Sequence, residues 1–172
     1  AATPPADWRW ILDINVLGVV HACRAEASHM AKAGRGLIVN VASAAAFMSA
    51  ADMGAYNASK AAVVALSETL RQELAADGVQ VAVAMPGFFR TRLMEHARAP
   101  AEVRAFAERL MDRSSMAADA VARDILARAA AGEAYLVLPR EYRWLWRFKR
   151  LAPGAFARWL ARQRWRRPPQ GG

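Results

Sequence analysis

Hydrophobic positions along the chain follow two patterns. Some recur every three to four residues, and others form short unbroken runs, so helices and buried strands are expected in turn. Residues 8–33 place Trp8, Ile11, Leu12, Val16, Val19, Val20 and Cys23 at helical spacing. Thr3-Pro4-Pro5-Ala6-Asp7 reads as the helix entry, with Asp7 as cap, and Gly34-Arg35-Gly36 as its stop. Leu37-Ile38-Val39-Asn40-Val41 is short and β-branched, which suggests a strand buried on both faces. Residues 44–54 are small and read as a loop. A second helix is expected over 55–76, ended by Asp77-Gly78. A second strand runs over 79–83 and stops at Pro86-Gly87. Helices are expected over 101–112 and 117–131, and a third strand, Ala134-Tyr135-Leu136-Val137-Leu138, is closed by Pro139.

Strands that alternate with helices of ten or more residues imply right-handed crossovers and an α/β fold with a parallel sheet. In such a sheet a ligand crevice lies at the carboxyl ends of the strands. Ala42-Ser43 and Met85-Pro86-Gly87 fall there.

Composition narrows the class. The 172 residues are 55% hydrophobic and 23% charged, a folding composition with about one domain's worth of chain. No apolar run reaches the roughly 18–20 residues a membrane-spanning helix needs, and residues 1–10 lack the pattern of a signal peptide. Cys23 is the single cysteine, which excludes an internal disulfide, and with three histidines there is no structural zinc set. Cys23 is expected to pack in the helix. His21, His29 and His96 read as surface or loop residues. The cysteine usage suits a reducing, cytoplasmic setting.

The net charge of +9 is confined to one end. Residues 1–138 hold 14 basic and 14 acidic side chains, while 139–172 hold ten basic side chains and Glu141 alone. The same tail carries Trp144, Trp146, Trp159 and Trp165 of the chain's six tryptophans. The chain therefore divides into a neutral body, 1–140, and a basic, Trp/Arg-rich tail, 141–172. Apolar residues nearly surround a helix over 142–151. Pro153-Gly154 breaks it, and over 155–167 Phe156, Trp159, Leu160 and Gln163 share one face while Arg158, Arg162 and Arg166 fall on another. Two partners suit such a tail: an anionic membrane surface, at which the protein would be peripheral, or the body and a subunit interface. No nucleic-acid motif is present, and no nucleic-acid partner is expected.

The chemistry-bearing residues are Ser43, Tyr56 and Lys60. Tyr56 and Lys60 are four residues apart on the second helix and share a face. A phenol titrates near pH 10 and is a poor acid or base at neutral pH, and a neighbouring ammonium favours its phenolate. Ser43, delivered from the strand tip, could bond a substrate oxygen that Tyr56 also touches, so the pair would orient a carbonyl. Met48, Met53 and Met94 are placed either to line an apolar substrate pocket or to fill gaps.

The Ser-x12-Tyr-x3-Lys spacing resembles that of the short-chain dehydrogenase/reductase superfamily. Four segments strengthen the likeness. Asp13-Ile14-Asn15-Val16-Leu17-Gly18 resembles the family's Asn helix, and Ile38-Val39-Asn40-Val41-Ala42-Ser43 its strand into the serine. Tyr56-Asn57-Ala58-Ser59-Lys60-Ala61-Ala62 resembles its Tyr helix, and Pro86-Gly87-Phe88-Phe89-Arg90-Thr91 its Pro-Gly loop. The resemblance implies a partial Rossmann-type, doubly wound parallel sheet. It further implies Tyr56 as general acid/base, Lys60 lowering the tyrosine's pKa and bonding the nicotinamide ribose, and Ser43 orienting the substrate. Asn15 would hold a water of a proton relay, and the backbone of Pro86, Gly87 and Phe88, with the Thr91 hydroxyl, would hold the carboxamide of NAD or NADP. The reaction implied is hydride transfer between that cofactor and an alcohol or ketone, here a small and fairly apolar one. The family commonly pairs into oligomers through the helices corresponding to 8–33 and 55–76.

The family's glycine-rich first half has no counterpart in the sequence. The resemblance therefore predicts the last three strands of a seven-stranded sheet, with an open apolar edge at 37–41, and a chain that by itself has little activity. The contrasting expectation is a non-catalytic relative acting as a membrane-surface or protein-interaction module through its tail.

Overall fold

The computed structural model describes residues 3–95, 97–99 and 101–163. His96, Trp165 and Arg166, and with them the end of the expected 155–167 helix, lie outside the described residues. Three parallel strands, β1 (Gly36–Val41), β2 (Val79–Pro86) and β3 (Tyr135–Leu138), form one sheet in the order β1-β2-β3. Gly36 pairs with Val79 and Val83 with Tyr135, so β2 is the central strand.

Burial on both faces explains the composition of β2. Val79, Val81, Val83 and Met85 face one side and meet Cys23, Ile38, Phe47, Val63 and Val137. Ala82 and Ala84 face the other and meet Val121, Ile125 and Ala129 together with Leu136 and Leu138. The helices α2 (Gly18–Lys32) and α4 (Gly54–Glu73) cover the first face, and α6 (Ala118–Ala130) covers the second. This is the doubly wound α/β arrangement expected from the sequence. Cys23 is buried in the first layer, where its thiol donates to Asn40 Oδ1 at 3.5 Å.

Several expectations are corrected. The helix expected over 8–33 starts earlier and is not continuous. It consists of α1 (Pro5–Leu12), a π-helical turn at Asp13–Leu17 and α2. Asp7 does not cap it. Pro4 occupies that position without a side-chain bond, because Pro5 already fits the first helical turn, and Asp7 instead pairs with Arg98 at 3.3 Å. The loop expected over 44–54 contains a short helix, α3 (Ala45–Met48), which seats Phe47 in the core. Strand β2 runs three residues beyond 83, to Pro86, because β3 supplies ladder partners up to Leu138. The remaining helices are α5 (Ala101–Asp112), α7 (Tyr142–Leu151) and α8 (Pro153–Arg162). No helix among the described residues is long and apolar enough to cross a membrane.

Candidate active site

The sheet and α4 bring three of the four expected catalytic side chains to one place. Ser43 follows β1 directly, and its hydroxyl accepts a bond from Ala45 N–H at 3.1 Å and points toward Pro86 O at 3.5 Å. That anchoring fixes the hydroxyl at the carboxyl end of the sheet. Tyr56 and Lys60 lie on the first turns of α4, which packs against α3, β1 and β2. Lys60 Nζ sits 5.9 Å from the centroid of the Tyr56 ring and donates to Val41 O at 3.1 Å. The Ser43 hydroxyl lies close enough to the Tyr56 phenol to favour its ionised form.

The electrostatics differ from the expectation. Burial raises the Tyr56 phenol above its ordinary value, and the Ser43 hydroxyl opposes that only in part. Burial lowers the Lys60 ammonium. A formed phenolate–ammonium pair would shift both groups the opposite way. The directions found describe a neutral phenol beside an amine whose charge is disfavoured. Loss of water is the largest cause for both groups, and the Lys60 ammonium is turned toward the end of β1.

The Asn15 side chain is bonded within the fold. It lies in the π-helical turn, where Gly18 N–H reaches Asp13 O, five residues back. The extra residue turns the Asn15 amide onto α4, where it donates to Ser59 Oγ at 3.0 Å. Ser59 in turn donates to Tyr56 O at 2.8 Å, so the Asn15 amide is linked to the backbone beneath the tyrosine. Ser59 is fully buried; the sequence carries it within the Tyr56–Lys60 segment, and its bond to Asn15 comes only with the fold. Asn57 belongs to the same segment. Its amide donates to Ala50 O at 2.7 Å and ties the loop before α4 to the helix, while its Oδ1 is buried without a partner among the described residues. In that loop Ser49 and Asp52 adopt positive φ, at 52° and 62°. Such backbone strain clusters at functional sites.

The Pro86–Thr91 segment also leaves the carboxyl end of the sheet. Pro86 O accepts from Ala44 N–H at 2.8 Å and Gly87 N–H donates to Leu138 O at 2.7 Å, so both are spent within the fold. The Phe88 N–H and the Thr91 hydroxyl have no partner among the described residues and remain available to a ligand. Gly87 is required for close approach, since a Cβ there would lie 2.6 Å from the Tyr142 ring. A cleft of about 470 Å³ opens beside Thr91, lined by Arg90, Arg92, Met94, Arg104 and Met111 among others. Ser43, Tyr56 and Lys60 do not line it. Met94 thus faces a cleft, while Met48 packs on the core. No cluster of metal-ligating side chains occurs among the described residues.

Comparison with known proteins agrees with this geometry. The family model for short chain dehydrogenase matches residues 1–102. A 3-oxoacyl-[acyl-carrier-protein] reductase from Synechocystis sp. is 36% identical over 93 residues, which cover 54% of this chain and 38% of that protein. Across the similar curated relatives the chain spans between 25% and 38% of their length. A short chain dehydrogenase/reductase from Burkholderia phymatum, solved in complex with NAD, superposes with a TM-score of 0.79 at 26% identity, covering 99% of this chain and 64% of that one. A short chain dehydrogenase from Burkholderia cenocepacia, solved with NADP, shares the fold with a TM-score of 0.69 at 23% identity, covering 92% of this chain and 61% of that one. The parallel sheet, the residues gathered at its carboxyl end and the family model's span over more than half of the sequence establish that this chain belongs to the short-chain dehydrogenase family of oxidoreductases.

Proposed function

We propose that the chain is the catalytic portion of an NAD- or NADP-dependent oxidoreductase acting on an alcohol or ketone, with Tyr56 as general acid/base. The observation that carries this reading is the gathering of the Ser43 hydroxyl, anchored after β1, and the Tyr56 phenol at the carboxyl end of a parallel sheet, with the Lys60 amine 5.9 Å from the phenol ring. Two hydroxyls so placed can hold one carbonyl oxygen between them, and the tyrosine can pass it a proton.

The residues present fit a dinucleotide. Lys60 uses one of its three N–H donors, on Val41 O, and Phe88 N–H and the Thr91 hydroxyl have no partner among the described residues. Lys60 would hold the ribose, and Phe88 and Thr91 the carboxamide. A bound nicotinamide supplies or accepts the hydride, and the chain supplies orientation and the proton. Lys60 then stabilises the phenolate that Tyr56 becomes on giving up its proton. Asn15 acts through Ser59 to fix the backbone under Tyr56. In this reading the substrate is small and fairly apolar, and the 172-residue chain by itself binds dinucleotide weakly. β1 has a strand neighbour on one side alone among the described residues, and the relatives are much longer.

The test is NAD(P)H-linked turnover with a panel of ketones and alcohols, using the chain at its full natural length. Tyr56→Phe should lower kcat by about 10²-fold or more while the dinucleotide Kd changes little. Retention of more than about a tenth of the rate removes Tyr56 from this role. Fluorescence titration of the 172-residue chain with NADH or NADPH tests its weak binding, and a micromolar Kd would contradict it.

A further inference from the structure

Helix α7 is apolar on two sides, and the fold uses one of them. Tyr142, Leu145 and Trp146 pack on the core layer that contains Phe47, Val83 and Met85. That accounts for the inward half of the tail. Phe156 of α8 is fully buried, and its ring meets Phe148 and Trp159 at centroid distances of 5.5 and 5.6 Å. What remains faces outward. Trp144, Arg147 and Leu151 follow one another at three and four residues, so they share a stripe of α7, and all three are exposed. Leu151 is 86% exposed and Trp144 56%.

The charge beside that stripe is not neutralised by the body. Arg143 pairs with Glu133 at 3.1 Å, and Arg150 lies 3.9 Å from Glu68 and stacks on Trp146 and Tyr135. Arg147, Arg158 and Arg162 are exposed, and no acidic side chain pairs with them among the described residues. Arg158 and Arg162 are one turn apart on α8, whose Trp159 rests against Trp144 at 6.3 Å between ring centroids. Beyond the described residues the sequence adds Arg164, Arg166 and Arg167.

We propose that the outward face of α7 and α8, formed by Trp144, Leu151, Arg147, Arg158 and Arg162, docks peripherally on an anionic lipid surface. A lipid bilayer is the partner these chemistries fit together. An indole belongs at the headgroup level, an exposed leucine enters the acyl boundary, and unpaired arginines meet headgroup phosphates and carboxylates. A nucleic acid would use the arginines but leave Leu151 in water. A second copy of this chain would bring its own arginines against these. The inference is independent of the catalytic reading, since none of the five residues belongs to the proposed active site.

The test is co-sedimentation of the full chain with extruded phosphatidylcholine vesicles containing about 30% phosphatidylserine, against pure phosphatidylcholine, at low and physiological salt. Preferential binding to the anionic vesicles, weakened by salt, is expected. Leu151→Ser should weaken it severalfold, and Arg147→Glu combined with Arg158→Glu at least tenfold. Leu151 touches so little of the fold that its replacement leaves folding intact, which far-UV circular dichroism checks. Equal binding to both vesicle types, no binding, or binding unchanged in these variants overturns the proposal. So does duplex DNA or RNA displacing the vesicles at equal charge, or a concentration-dependent dimer in sedimentation velocity that Leu151→Ser dissolves, which would assign the face to a second copy.

Discussion

Arg71 ties the amino end of the sheet together, and its removal is the sharpest test of how the fold is held. The ladder between β2 and β3 begins at the pair Val83–Tyr135, so Val81 O faces a position that β3 has not yet reached. Arg71, on α4, takes that place. Its Nε donates to Val81 O at 2.8 Å and its Nη2 to Ala134 O at 2.9 Å, with the guanidinium 4.9 Å from the centre of the Tyr135 ring. Ala134 O also receives Val83 N–H, whereas Val81 O depends on the arginine. Hydrogen bonds to a charged donor are worth about 1.5–3 kcal/mol each, and the stacked ring adds about 0.5–1. Arg71→Met keeps most of the stem's packing and removes both bonds. With an allowance for water reaching this half-buried site, the expected loss is about 2–4 kcal/mol. Urea unfolding followed by tryptophan fluorescence and by far-UV circular dichroism measures it. Arg71→Lys should fall between wild type and Met, because an ammonium lacks the fork that reaches two carbonyls. A loss below about 1 kcal/mol for Arg71→Met would refute the view that the helix completes the ladder.

Three further outcomes are expected. Gly78→Ala places a Cβ 2.4 Å from the backbone oxygen of Gly34 at a φ of +70°, so both strain and clash apply; a destabilisation of at least about 2 kcal/mol should appear in thermal or urea unfolding. Ser59→Ala strips the half-buried Asn15 Nδ2 of its acceptor and should cost about 1–2 kcal/mol in the same assay, with the π-helical turn losing amide-exchange protection first. The Glu133 carboxyl is held below its ordinary range, first by its hydrogen bonds to Arg128 and then by the charges of Arg128 and Arg143. A depressed carboxyl stabilises the fold above its unfolded pKa of about 4.3 and loses that contribution as pH falls through the folded value. Melting temperature should therefore fall less steeply with acidification below about pH 4.5 in Glu133→Gln than in wild type, and identical slopes would show that this partly exposed pair contributes nothing.

The tail shows how composition and tertiary structure share a decision. Its charge and aromatic content raised two readings, packing on the body and contact with an anionic surface. The fold divides the residues: Tyr142, Leu145, Trp146 and Phe156 are used inward, and Trp144 and Leu151 are left exposed. A helical wheel alone could not make that division, because α7 carries aromatic residues over most of its circumference.

Local sequence was enough for the strands and most helices of the body. The runs 37–41 and 134–138 have no polar side other than Asn40, so each reads as a strand covered on both faces. Gly34, Gly78 and Gly132 stand where positive φ ends a helix or turns the chain. The four-residue spacing of Tyr56 and Lys60 is a property of any helix, so their shared face was fixed once α4 formed. Other features depended on neighbours distant in sequence. A five-residue backbone bond at Asp13–Gly18 leaves no mark in hydrophobic periodicity, yet it decides that Asn15 meets Ser59. The last residues of β2 are a strand because β3 lies beside them. Above all, spacing told that an ammonium stands near a phenol, which by itself would make the phenol more acidic. How much water each group loses is set by what the whole fold packs around it, and that loss moved Tyr56 up and Lys60 down. Proximity is encoded along a helix, whereas solvation belongs to the assembled structure.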